Sequence, residues 1–314
     1  MSDWRVYRAA VPAPPTPGKT EDPGAYLPDP GLVDAVNVAI ALGQPLLLTG
    51  EPGTGKTQLA YSVSNQLFGT PPIVFNTKTT STARDLFYQY DALRHFRDSQ
   101  LRDGTQAPLR PSDYISFEAL GLAILVAMDR DQVAAALPME YRSRGRGRSV
   151  VLIDEIDKAP RDLPNDVLAE IEQMRFEVKE TGHQFAAEPE YRPIVVLTSN
   201  SEKLLPDAFL RRCVYYHLPF PNRDQLVKIV KARLGDDRVR PPWVLKVIEE
   251  FERIRTKPLK KKPATAELLA WLRVLERLAE DGRGDDPTTH PSYTATLAAI
   301  VKNKDDFDAV AGPR

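Results

Sequence analysis

The amino-acid sequence predicts an α/β unit built on a parallel sheet, followed in the chain by a small all-helical unit. Three observations lead there. Short apolar, β-branched runs alternate with helical segments between Leu46 and Leu218. A glycine-rich loop over residues 50–57 joins the first of those runs to a helix. After Pro221, apolar residues recur only at helical spacing. With 314 residues, the chain is long enough for two structural units, and 42% hydrophobic with 27% charged residues is the balance of a folded chain.

The elements follow in order. Residues 1–30 form a proline-rich arm carrying Pro12, Pro14, Pro15, Pro17, Pro23, Pro28 and Pro30. Proline fixes φ and removes a donor, so the arm is extended. It serves as a linker or strap over the core, or as a docking motif. From Leu32, the spacing of Val33, Val36 and Ile40 predicts a helix. Leu46–Thr49 is a short buried strand and Lys56–Phe68 a helix; further strands fall at 73–75, 150–153, 194–197 and 214–218. The long gap over 77–149 holds one clear helix, about 114–137, preceded by a polar and aromatic insert over 79–110. A helix over 166–175 leads into residues 176–185, which predict a hairpin turning at Thr181-Gly182. The α/β unit thus occupies 31–220. The helical unit, 221–314, shows Leu226, Ile229, Val230 and Leu234, then Val244, Val247, Ile248, Phe251 and Ile254, then a third helix N-capped by Thr265 and carrying Leu268, Leu269, Leu272 and Leu275.

Composition narrows the function classes. A formal net charge of −1 disfavours bulk nucleic acid as the main partner. One cysteine, Cys213, permits no intrachain disulfide and no cysteine zinc site, and fits a reducing, cytoplasmic compartment. The N-terminus has no apolar leader segment, and the most apolar stretch, 119–128, is too short to span a bilayer, so a soluble protein without membrane anchor is expected.

The loop Gly50-Glu51-Pro52-Gly53-Thr54-Gly55-Lys56-Thr57 matches G-x-x-x-x-G-K-[ST] in full, directly after a strand and opening a helix whose next residue is Gln58. Its glycines let backbone N–H groups turn around a β-phosphate, and the helix N-terminus adds its positive dipole end. Lys56 is placed to bridge β- and γ-phosphates, and the Thr57 hydroxyl to bind Mg²⁺. Residues 50–58 are therefore the candidate nucleotide contacts.

The strand at 150–153 ends in Asp154-Glu155. Adjacent strand residues point to opposite sides, which suits the two acids to two tasks. Asp154 would hold the Mg²⁺ shell, and Glu155 would activate the attacking water as general base. Asp157 either supports the site or forms a solvated ion pair with Lys158. The strand at 194–197 ends in Thr198-Ser199-Asn200. Asn200 is either a sensor bonded to the γ-phosphate and the lytic water or a turn-forming asparagine. Arg211 and Arg212, before the last strand, need a charge partner. If the chain forms a ring, Arg212 is the better candidate for an arginine finger in a neighbouring subunit; an intrachain salt bridge is the alternative, and Arg211 is the more structural of the two.

GEPGTGKT, VLIDEIDK, the TSN strand tip and LPDAFLRRC, in this order and spacing, resemble the AAA+ ATPases, nearest to the MoxR-like and dynein-related AAA branch, over about residues 31–280. The hairpin before the Asn200 strand and the insert after the second strand are similar to features of that branch, where they face the ring pore or the client. The resemblance implies a P-loop three-layer α-β-α core with sheet order 5-1-4-3-2, a helical lid, ATP with Mg²⁺ bound between core and lid, a homo-oligomer that is usually a hexameric ring, and remodelling of a protein client. One departure stands out. Many relatives carry an arginine at the start of the third lid helix, where this chain has Lys262-Pro-Ala-Thr-Ala-Glu267, leaving Lys262 as the available cation.

Other features carry less. Two basic clusters, 142–148 and 257–262, are either solvated loops or nucleic-acid contacts, and lack interleaved aromatics. The four histidines show no metal spacing, and Asn76-Thr-Lys-Thr79 is not a guanine-reading motif, which favours adenine.

Overall fold

A computed structural model describes residues 6–8, 23–101, 108–142, 145–201, 205–235, 241–281 and 286–312. These fall into two compact units. The first holds 6–8, 28–50 and 56–217; the second holds 23–27, the loop tip Glu51–Gly55, and the chain from Leu218 onward. Most of the proline-rich arm lies outside the described residues.

Nine strands occur among the described residues: β1 (Leu46–Thr49), β2 (Ile73–Asn76), β3 (Tyr88–Tyr90), β4 (Ile115–Phe117), β5 (Val150–Asp154), β6 (Arg175–Val178), β7 (His183–Ala186), β8 (Ile194–Ser199) and β9 (Val214–His217). Five of them make the central sheet of the first unit, in the order β2-β5-β8-β1-β9, every pair parallel. Counting only its members in chain order, the sheet runs 5-1-4-3-2. The remaining four form two separate antiparallel pairs, β3 with β4 and β6 with β7. β1 and β8 are buried along their whole length and β5 all but its last residue, as continuous apolar runs covered on both faces must be. Helix α1 (Pro30–Leu42) starts where Asp29 Oδ1 accepts from Leu32 N–H at 3.0 Å and stops at Gly43, whose φ of 63° no β-carbon favours. It packs on β9 and β1, while α2 (Lys56–Phe68) packs on β5 and β8.

The region between β2 and β5 differs from expectation. The single helix over 114–137 is replaced by a 3-10 turn at Pro111–Tyr114, strand β4, the helix Ala119–Val126, and a further short turn of helix at Arg130–Val133. Helical and extended forms compete over so short an apolar run, and tertiary pairing decides: Ile115–Phe117 lies against Tyr88–Tyr90, and Glu118 N–H donates to Phe87 O at 2.9 Å. Ala119–Val126 then sits so close to this segment that a Cβ on Gly121 would lie 2.0 Å from Phe87 O. The insert itself is structured where described, with β3 and the helix Ala92–Gln100, which is capped by Asp91. The helix expected over 166–175 is two short pieces, Leu163–Asp166 and Leu168–Gln173. Met174 ends the second at φ 46°, so Arg175 already belongs to β6. The hairpin β6–β7 pairs Val178 with His183, and its aromatic face joins a stack in which Phe176 lies 5.1 Å from Phe87 and 5.3 Å from Phe185.

The second unit packs the helices Arg223–Leu234, Pro242–Thr256, Thr265–Asp281 and Lys304–Ala311 around Phe251, Ile254, Leu268, Trp271 and Leu275. Trp271 is fully buried and its indole N–H donates to Thr296 Oγ1 at 2.8 Å. The first of these helices opens with a reciprocal capping box between Asn222 and Gln225. Thr265 is not an N-cap: it is the first helical residue, its Oγ1 is buried without a partner, and Glu267 instead accepts from Ala264 N–H at 2.7 Å.

Candidate nucleotide site

In a parallel sheet, the carboxyl ends of adjacent strands share one edge, and the crevice outside them is where ligands bind. Here Thr49 of β1 is level with Ser199 of β8, and Asn76 of β2 with Asp154 of β5. The loop that follows β1 therefore rises beside the acids that end β5 and the polar tip of β8.

The loop backbone is one that side chains rarely tolerate. Gly50, Gly53 and Gly55 have φ of 144°, 78° and 96°, and a Cβ on Gly53 would lie 2.3 Å from that of Ala264. Thr54 closes a turn onto Glu51 O from both its N–H and its hydroxyl. At the mouth of α2, the Lys56 ammonium is buried, donating to Gly50 O at 2.7 Å and to Asn200 Oδ1 at 3.2 Å. Burial lowers its pKa; the charges of Asp154, Asp157 and Glu155 pull it back up. Thr57 Oγ1 donates to Asp154 Oδ1 at 3.1 Å. Gln58, half-buried, takes the next position on α2.

Four of the sequence-predicted groups, Lys56, Thr57, Asp154 and Asn200, thus meet at one place. Glu155 stands beside them in a left-handed conformation (φ 56°), its carboxylate held by the Lys158 ammonium. Lys158 is therefore committed to Glu155. Asp157 keeps a buried Oδ1 without a hydrogen-bond partner and acts electrostatically on Lys56. A residue without an assigned role in the sequence, Thr198, ties the acids together: its hydroxyl donates to Asp154 Oδ1 and accepts from Glu155 N–H at 2.8 Å. Its one sequence signal is a polar side chain at the end of an otherwise apolar strand.

The two arginines lie apart from that cluster. Arg212 donates through Nε to Glu172 at 2.8 Å and through Nη1 to Ala208 O at 3.1 Å, which is the intrachain bridge weighed above; Arg211 is exposed. Lys262 is also exposed. The basic clusters spend charge internally: Arg146 on Glu188, Arg148 on Arg192 O, Lys257 on Ala309 O and Lys260 on Asp305; Ser143 and Arg144 lie outside the described residues.

The donor set suits magnesium, which prefers hard oxygens and takes one or two carboxylates together with substrate phosphates rather than a dedicated protein cage. Thr57 Oγ1 and Asp154 supply that number. No group of three or more His, Cys, Asp or Glu that could hold a metal ion by itself occurs among the described residues.

A family model, AAA domain (dynein-related subfamily), matches residues 45–213, more than half of the chain. The chain belongs to this AAA family. The match opens one residue before β1 and closes one residue before β9, so it contains the phosphate loop, Asp154, Glu155, Asn200, Arg211 and Arg212. Membership implies nucleotide-dependent ATPase activity. No curated protein matches the chain. Among the described residues of this AAA protein, no helix is long and apolar enough to cross a membrane.

Proposed function

We propose that the chain binds MgATP on the loop 50–57 and hydrolyses it with Glu155, as one subunit of an oligomeric, MoxR-like ATPase that remodels a protein client. The observation that carries the catalytic part is that Lys56 hydrogen-bonds Asn200 and Thr57 hydrogen-bonds Asp154 at the sheet's carboxyl edge, with the Asp154 charge acting on Lys56. In that arrangement Lys56 offers its ammonium, and the loop offers its N–H groups, to the β- and γ-phosphates. Thr57 and Asp154 hold Mg²⁺, which when bound neutralises charge on the phosphoryl oxygens. Asn200 orients the attacking water, and Glu155 takes its proton once it leaves Lys158. Thr198 keeps the two acids in register. Arg212, released from Glu172, is the cation we assign to a neighbouring subunit's γ-phosphate, with Arg211 beside it. The hairpin β6–β7 and the insert with its exposed Leu93 and Phe96 supply surfaces for a client.

Glu155→Gln tests the catalytic core. Losing a general base costs typically 10²–10⁴-fold. The variant is expected to lose ATP turnover by about that factor while still binding MgATP. Wild-type turnover in Glu155→Gln refutes the assigned base.

A second reading, a nucleotide-gated assembly or signalling module with slow hydrolysis, draws on two observations: Glu155 is held by Lys158, and the helix Thr265–Asp281 begins without an arginine. Strong ATP-dependent oligomerisation with very slow turnover favours it over remodelling. A nucleic-acid motor receives no support from the basic clusters, in which Arg146, Arg148, Lys257 and Lys260 are engaged within the chain.

A further inference from the structure

Glu51 puts a carboxylate at the second position of a phosphate-binding loop. Consecutive Cα atoms are about 3.8 Å apart, so its carboxylate lies within roughly one screening length, about 8–10 Å, of any phosphate cradled by the next few residues. Unpaired, it would repel the ligand the loop is built to hold.

The structure pairs it. Arg255, from the last turn of the helix Pro242–Thr256, donates through Nη2 to Glu51 Oε2 at 2.5 Å. Its Nη1 donates to Pro263 O, and its guanidinium carbon lies 3.3 Å from the centroid of the Phe220 ring. Only 11% of the Arg255 side chain is exposed, against 49% of Glu51. A guanidinium stacked on one face and bonded at two nitrogens has little freedom left, so Arg255 is the fixed anchor to which Glu51 is paired. The carbonyl that receives Nη1 belongs to Pro263, the neighbour of Ala264, which touches the loop again at Gly53. Two contacts thus hold the loop tip, one ionic at Glu51 and one steric at Gly53.

We propose that Arg255 is a positioning residue for the phosphate loop: it cancels the Glu51 charge and sets the loop's second residue, supplying from the preceding helix the cationic influence that the start of the helix Thr265–Asp281 lacks. This rests on the nucleotide assignment of the loop. It differs from a direct phosphate contact in one testable respect. If Arg255 acts through Glu51, removing both charges must restore what removing Arg255 alone destroys.

The experiment titrates the full chain with methylanthraniloyl-ADP and methylanthraniloyl-ATP in Mg²⁺, comparing wild type, Arg255→Met, Glu51→Gln and the double variant at low and high salt. Methionine keeps most of the stacking volume, and thermal melting verifies that each variant is folded. Arg255→Met is expected to bind about tenfold more weakly at low salt, the order of one like-charge contact at a half-exposed surface. The loss shrinks as salt screens it. The double variant is expected to recover most of the affinity that Arg255→Met loses, binding at least about threefold more tightly than Arg255→Met at low salt. Wild-type affinity in a folded Arg255→Met, a double variant as weak as Arg255→Met, or a loss insensitive to salt each overturns the proposal. Absence of binding by wild type overturns the nucleotide assignment, and this inference with it.

Discussion

Lys56 carries a cost that its proposed part in holding phosphate would explain. Its ammonium is buried, and burial lowers its pKa despite three carboxylates nearby. Below the lowered value the group is protonated both folded and unfolded, and there the folded chain bears the whole desolvation cost. That cost lapses as pH rises through the lowered pKa. Functional residues of this kind trade stability for activity, typically by about 0.5–2 kcal/mol. Lys56→Met is therefore expected to raise the urea midpoint at pH 7 in the absence of nucleotide while abolishing nucleotide binding; a lowered midpoint contradicts it. Glu155 is held at positive φ, as is Met174, which ends a helix.

At the scale of elements, the aromatic stack holds the hairpin to the insert. Phe176 is buried between Phe87 and Phe185, with Phe117 edge-on at 6.2 Å. Removing a buried phenyl ring costs about 3–5 kcal/mol. Phe176→Ala is expected to lower the unfolding free energy of the α/β unit by that amount, measured by urea denaturation, and a loss below about 1 kcal/mol would show that the stack is peripheral. This stack also explains where sequence reading failed. The hairpin was legible because Thr181-Gly182 is a local turn signal between two runs of alternating side chains. β3 and β4 were not, because each has three residues and is extended only through pairing with the other, 25 or more positions away in the chain. A continuous apolar run such as Ala119–Val126 has no period of its own, so its helical limits come from Phe87 O and the capping of neighbouring segments.

At the scale of the whole molecule, two units each bury a core of their own. A ligand that binds only the folded chain stabilises it by about 2.7 kcal/mol at a hundredfold excess over Kd. MgADP is expected to raise the melting temperature in calorimetry, EDTA to reverse most of the rise, and Thr57→Ala to abolish the part that depends on Mg²⁺. A shift indifferent to EDTA would remove Thr57 and Asp154 from the metal site.

Local chemistry was enough for the loop, the paired acids, the polar strand tip and the class of fold. Each is written in neighbouring residues, where backbone geometry and side-chain alternation leave few options. Thr198 between Asp154 and Glu155, the Lys158 hold on Glu155, and Arg255 against Glu51 at a separation of 204 residues came only from packing. A charge or hydroxyl has no readable task until folding selects its partner, because many positions along the chain could serve and the free energy of one contact is small beside the burial that brings the segments together.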